Sequence, residues 1–76
     1  MESDAQLVSM LDTDPEQGMA LIMEQYGGLV WAAAASRLAS EQDVRECVND
    51  TFAEFYFRRA RYDPAKGPLG TWLAHI

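Results

Sequence analysis

Residues 40–57, Ser40-Glu41-Gln42-Asp43-Val44-Arg45-Glu46-Cys47-Val48-Asn49-Asp50-Thr51-Phe52-Ala53-Glu54-Phe55-Tyr56-Phe57, decide the fold. Ser40 followed by Asp43 is a helix start, with an acidic residue where a capping box carries Glu or Gln. At 100° per residue, Val44, Cys47, Val48, Thr51, Phe52 and Phe55 gather on one side, and the helix is expected to run to about Arg61. Cys47 on that side reads as a small buried hydrophobe rather than a reactive thiol. The opposite side collects Glu46, Asn49, Asp50, Ala53 and Phe57, with Glu54 at its edge. Carboxylates there are what a solvated face ordinarily carries. Phe57 is not, because a large aromatic within a polar face needs a cover, from this chain or from a partner helix. An acidic rim around one apolar anchor has the form of half a helix-on-helix interface.

Toward the N-terminus, Asp14 as cap, Pro15 at the first helical position and Gln17 three after the cap predict a second helix start. Met19, Ile22, Met23, Tyr26, Leu29, Val30, Ala33, Ala34 and Leu38 then recur at spacings of three and four, the pattern of one long amphipathic helix. Gly27-Gly28 weakens it by about 1 kcal/mol per Gly relative to Ala, so a bend or close helix packing is expected there, with a full break as the alternative. Asp4 to Leu11 predicts a short helix with Leu7, Met10 and Leu11 on one side, interrupted by Asp12-Thr13-Asp14. Toward the C-terminus, Tyr62-Asp63-Pro64-Ala65-Lys66-Gly67-Pro68 reads as a structured loop. Pro68 then opens a last helix with Leu69, Trp72, Leu73 and Ile76. The chain stops inside that helix without a cap, which reads as a piece of a longer protein. The expected architecture is all-α, a small bundle of three helices with a truncated fourth.

One domain fits 76 residues and two do not, since so short a chain buries only about 60% of its unfolded surface. The apolar share of 49% and charged share of 24% are those of a globular chain. One Cys excludes an internal disulfide and fits a reducing compartment; one Cys and one His exclude a His/Cys zinc site. There is no run of 18 apolar residues to span a membrane, and MESDAQ is not the start of a secretory signal, so the expected location is cytoplasmic. No catalytic constellation emerges. Gly27-Gly28 and Gly67-Pro68-Leu69-Gly70 lack the spacing and preceding strand of a phosphate loop, and His75 reads as a lone solvent-facing imidazole. The sequence does not read as an enzyme, and no cofactor is expected.

The net charge of −6 argues against nucleic acid at first, but its distribution is uneven. Residues 1–57 hold two arginines, Arg37 and Arg45, against eleven carboxylates, giving −9. Residues 58–76 hold Arg58, Arg59, Arg61 and Lys66 against Asp63, giving +3. Cations suit a helix C-terminus without further purpose; they also suit an anion-facing end on an acidic body. Charge leaves both open.

The run Asp43-Val44-Arg45-Glu46-Cys47-Val48-Asn49-Asp50-Thr51-Phe52, then Tyr56, Tyr62-Asp63-Pro64, Gly67 and Trp72-Leu73-Ala74-His75-Ile76, resembles region 2 of bacterial sigma factors. The likeness is greatest to the extracytoplasmic-function type of the sigma-70 family, and Tyr26-Gly27-Gly28-Leu29-Val30-Trp31 resembles the segment these factors carry before it. It spans about residues 3 to 76, so residues 1–76 are expected to form one region 2 domain. The resemblance implies a helical module that docks on the clamp helices of the RNA polymerase β′ subunit and recognises and melts the promoter −10 element. It implies a polymerase contact at Glu46, Asn49, Asp50, Ala53 and Phe57, the side of the helix already singled out. Asn49-Asp50 stands where the family usually has Gln-Glu, one methylene shorter at each position. The loop from Tyr62 to Gly70 corresponds to the family's specificity loop, which takes up a flipped −10 base. DNA contacts are thereby implied for Arg58, Arg59, Arg61 and Lys66 at phosphates and for Tyr62 and Trp72 as aromatics. Trp72 has a plainer reading too, packing the last helix onto the bundle. Relatives often carry Ser at Pro68 and Phe at Leu69. An anti-sigma factor is a further partner class, and the domain reading the −35 element is absent from this sequence. The competing reading is an acidic helical interaction or dimerisation module that never touches nucleic acid.

Overall fold

The computed structural model describes residues 2–75. Four α-helices follow in order, α1 (Asp4–Thr13), α2 (Pro15–Ala35), α3 (Glu41–Arg58) and α4 (Leu69–Ala74), with 3₁₀ turns at Arg59–Arg61 and Pro64–Lys66 and no strand among the described residues. The expected all-α bundle is therefore present, its fourth helix short. Ile76, expected in that helix, lies outside the described residues.

The starts of α1, α2 and α3 are encoded locally. Asp14 accepts the Gln17 N–H at 3.2 Å, and Ser40 Oγ accepts the Asp43 N–H at 3.4 Å. Ser3 and Gln6 form a full capping box for α1, with the Gln6 N–H on Ser3 Oγ at 3.2 Å and the Ser3 N–H on Gln6 Oε1 at 2.8 Å. α1 runs through Asp12 and Thr13, where an interruption was expected. Asp14 alone separates it from α2, its N–H closing α1 on Met10 O at 2.7 Å while its carbonyl accepts the Gly18 N–H at 2.9 Å. α2 stops at Ala35 rather than near Leu38.

α1 packs on α2, α2 on α3, and α4 closes against both α2 and α3. Leu7, Leu11, Ile22, Val30, Phe52, Phe55, Tyr62, Leu69 and Leu73 form the core. Within α2, Met23 and Leu29 belong to the expected apolar side yet are exposed (42% and 48%), because α1, α3 and α4 together cover less of this helix than its apolar residues span. Cys47 is half-buried rather than sealed, with Arg37 Nη2 at 4.0 Å from its sulfur.

α2 continues unbroken through Gly27-Gly28, and a Cβ on either would meet nothing within 4 Å. The close packing expected there is absent. It occurs instead at Gly18, where a Cβ would come within 2.8 Å of Leu11 Cδ2 and 3.3 Å of its backbone nitrogen, and at Gly70, where it would lie 3.1 Å from both Leu29 Cδ2 and Tyr26 Cε1. Gly18 admits the tight α1–α2 corner, and Gly70 lets α4 lie down on α2.

A polar tie joins the two ends of the chain. One carboxylate oxygen of Asp4 accepts the Tyr26 hydroxyl, and the other accepts the Leu69 N–H at 2.9 Å. Burial first, then the hydrogen bond and charge of Asp4, push the Tyr26 phenol up to about 12.

Gly28→Ala is expected to raise stability by about 0.5–1 kcal/mol and Gly18→Ala to lower it by about 1–3 kcal/mol, measured by urea unfolding. Because the Tyr26 pKa is higher in the folded chain than its ordinary value of 10.0, its contribution is complete below pH 10 and is lost as pH rises toward 12. Tyr26→Phe should therefore flatten the fall in stability across that window, and the phenolate absorbance step near pH 12 should vanish with it.

Candidate protein- and nucleic-acid-binding surfaces

The rotational setting of α3 follows from its core side. Val44, Thr51, Phe52 and Phe55 are buried, Phe55 completely. Glu46, Asn49, Asp50, Ala53 and Phe57 consequently all face outward. Phe57 is 84% exposed, the most exposed large hydrophobic side chain among the described residues. Its ring meets that of Tyr56 edge-on, with centroids 6.2 Å apart. Beside it Arg58 pairs with Glu54 at 3.0 Å, and toward the other end of the helix Gln42 donates to Glu46 at 3.4 Å. Among the described residues, neither Glu46 nor Asp50 has an ion-pair partner. The surface is thus a line of acceptors ending in an uncovered aromatic, able to receive donors and an apolar side chain from a second helix.

After α3 the chain tightens into the Arg59–Arg61 turn and enters the loop. Asp63 Oδ1 accepts the Ala65 N–H at 2.9 Å, and the Tyr62 hydroxyl donates to Gly67 O at 2.9 Å. These bonds, with two prolines, give the loop one shape. Between it and α4 lies a cleft of about 200 Å³ lined by Arg61, Tyr62, Lys66, Pro68, Trp72 and His75, with Asp63, Gly67 and Thr71 completing it. Trp72 is half-buried. Its ring stands edge-on to Phe55 at 5.6 Å and tilted against Tyr62 at 5.8 Å, so it both packs α4 onto the bundle and lines the cleft. Tyr62 is only 9% exposed and forms a wall with its hydroxyl already committed. Burial, then the charges of Asp4 and Asp63, raise its phenol pKa.

The four cations do not share one patch. Arg61 and Lys66 line the cleft. Arg59 lies over the Tyr56 ring at 4.1 Å and donates to Tyr56 O at 2.7 Å, lining a second groove with Val8, Asp12, Phe57 and Ala60 that shares only Tyr62 with the cleft. Arg58 is held by Glu54, through an exposed pair worth about 0–1 kcal/mol that a phosphate can displace.

Sequence reasoning missed Thr71 as a cleft residue and read His75 as merely solvent-facing. His75 is exposed and lines the cleft. The signal was available: Thr71 and His75 are four apart on the helix that carries Trp72. Among the described residues no group of three or more His, Cys, Asp or Glu is placed to hold a metal ion. No described helix is long and apolar enough to cross a membrane.

Comparison with protein families finds a match to sigma-70 region 2 over residues 22–76, which takes in α2 from Ile22 onward, α3, the loop and α4 and leaves α1 and the first turns of α2 outside. No curated protein matches, and no solved structure does. Region 2 is a non-catalytic part of transcription initiation factors, with core RNA polymerase and promoter DNA as its partners. With well over half of its length matched, on the helices and loop that build both surfaces, the chain belongs to the sigma-70 family through its region 2.

Proposed function

We propose that residues 1–76 act as one region 2 domain with two working surfaces. The outward side of α3, Glu46, Asn49, Asp50, Ala53 and Phe57, docks on the β′ clamp helices of RNA polymerase. The loop–α4 cleft holds a flipped base of the −10 element and so helps to melt it. In this reading the domain is of the extracytoplasmic-function type and works in the cytoplasm beside the polymerase. An anti-sigma factor would compete for the same α3 side.

The observation that carries the reading is Phe57, 84% exposed at the end of an acceptor-lined face whose reverse buries Val44, Thr51, Phe52 and Phe55. A side chain of that size left in water favours a partner. Basic side chains on the partner would find Glu46 and Asp50 free of ion pairs among the described residues. At the cleft, about 200 Å³ is below the size of drug-sized pockets and suits one planar base against Trp72, with Arg61 and Lys66 to meet the flanking phosphates. Family membership favours this over an acidic module that avoids nucleic acid.

For the protein contact, titration with a β′ clamp-helix fragment should show Phe57→Ala and Asp50→Arg each weakening binding by about 30-fold, the size of a hot-spot loss. Equal affinity for wild type and Asp50→Arg would remove the α3 assignment. For the DNA contact, the chain assembled with core polymerase should bind single-stranded −10 DNA with a salt slope about 1.4 smaller once Arg61 and Lys66 are neutralised. An unchanged slope would place the phosphates elsewhere.

A further inference from the structure

We propose that Asp4 is a positioning residue for the −10 cleft: from α1, outside the family match, it supplies the N-terminal cap that α4 lacks and so sets the cleft's helical wall. The inference rests on the cleft reading above. α4 begins after Pro68, whose extended backbone makes it the N-cap but whose ring offers no acceptor, and no side chain of the loop caps the helix. The first amide of α4, that of Leu69, is instead bound by Asp4 Oδ2 at 2.9 Å across 65 residues. The other oxygen of Asp4 accepts the Tyr26 hydroxyl, which keeps the carboxylate from turning away. Leu7 and Leu11, both on α1, are buried in the core and hold Asp4 in register.

The consequence reaches the cleft directly. Pro68, Thr71, Trp72 and His75 all line it, and all belong to α4 or its cap position. α4 has only six residues, too few to persist without a cap and packing. A negative carboxylate at its first amide satisfies an orphan donor and complements the helix dipole. The α3 side chains that meet polymerase take no part in this tie. Loss of Asp4 should accordingly separate the two functions.

The experiment uses the chain assembled with core RNA polymerase and a single-stranded DNA pool randomised over six positions, from which the wild type enriches a preferred oligonucleotide. Asp4→Ala is expected to weaken binding of that oligonucleotide about fivefold, the change that loss of a typical cap produces, with affinity for core polymerase unchanged. Adding Pro68→Ser to Asp4→Ala gives α4 a local cap and should restore binding. General stabilisation of the bundle by Asp4 predicts no such rescue. Lys66→Glu, in the cleft and exposed, reports on the cleft reading itself. Loss with Lys66→Glu but none with Asp4→Ala overturns the role of Asp4 alone. Loss of DNA and polymerase affinity together, without rescue by Pro68→Ser, also overturns it. No loss with either variant overturns the cleft reading and this inference with it. Where Asp4→Ala does not fold, it is placed in the Gly28→Ala background, which is expected to raise stability, and judged by the same comparisons.

Discussion

Phe55 and Phe57 stand two residues apart on one helix, about 200° around its axis, so they cannot both enter the core. The bundle takes Phe55, which is wholly buried, and leaves Phe57 in water. Removing a fully buried Phe side chain costs about 3–5 kcal/mol, a large part of the 5–15 kcal/mol that holds a small domain together. The setting of α3 is therefore held firmly. With it come the outward positions of Glu46, Asn49, Asp50 and Ala53, and the approach of Trp72 to Phe55 that seats α4. The outward side of α3 and the seat of α4 are both consequences of which phenylalanine is buried.

The two surfaces are built by different physics. The α3 side is one regular helix from its cap at Ser40 to Arg58, its shape set by the continuous backbone ladder. The cleft is made of short pieces, two 3₁₀ turns and six helical residues, tied by single hydrogen bonds from Asp63, Tyr62 and Asp4. Its shape therefore depends on a few individual bonds rather than on a continuous helical ladder.

What the sequence made legible follows the range of the interactions. Caps at Asp14 and Ser40 and the phase of α3 depend on neighbours three or four residues away, and those readings held in the fold. The placement of the four cations was less legible. Arg59 turns onto Tyr56 and away from Arg61 and Lys66, a choice settled by the geometry of the turn after α3. Met23 and Leu29 sat in the right period, but periodicity does not say how wide a stripe the neighbours will cover. Gly27-Gly28 advertised close packing that Gly18 and Gly70 in fact carry. Asp4 was invisible as a cap because its partner lies 65 residues away, and nothing in its own segment marks it.

The corner at Asp14 carries a last consequence. One residue both closes α1 and opens α2, leaving no slack between them. Inserting or deleting one amino acid there would turn α1 by about 100° about its own axis. Leu7 and Leu11 would swing toward solvent and Asp4 away from Tyr26. Length variation is thus better borne in the stretch between α2 and α3, where the described residues carry no such double duty, while the first corner behaves as a fixed gear whose teeth cannot be miscounted.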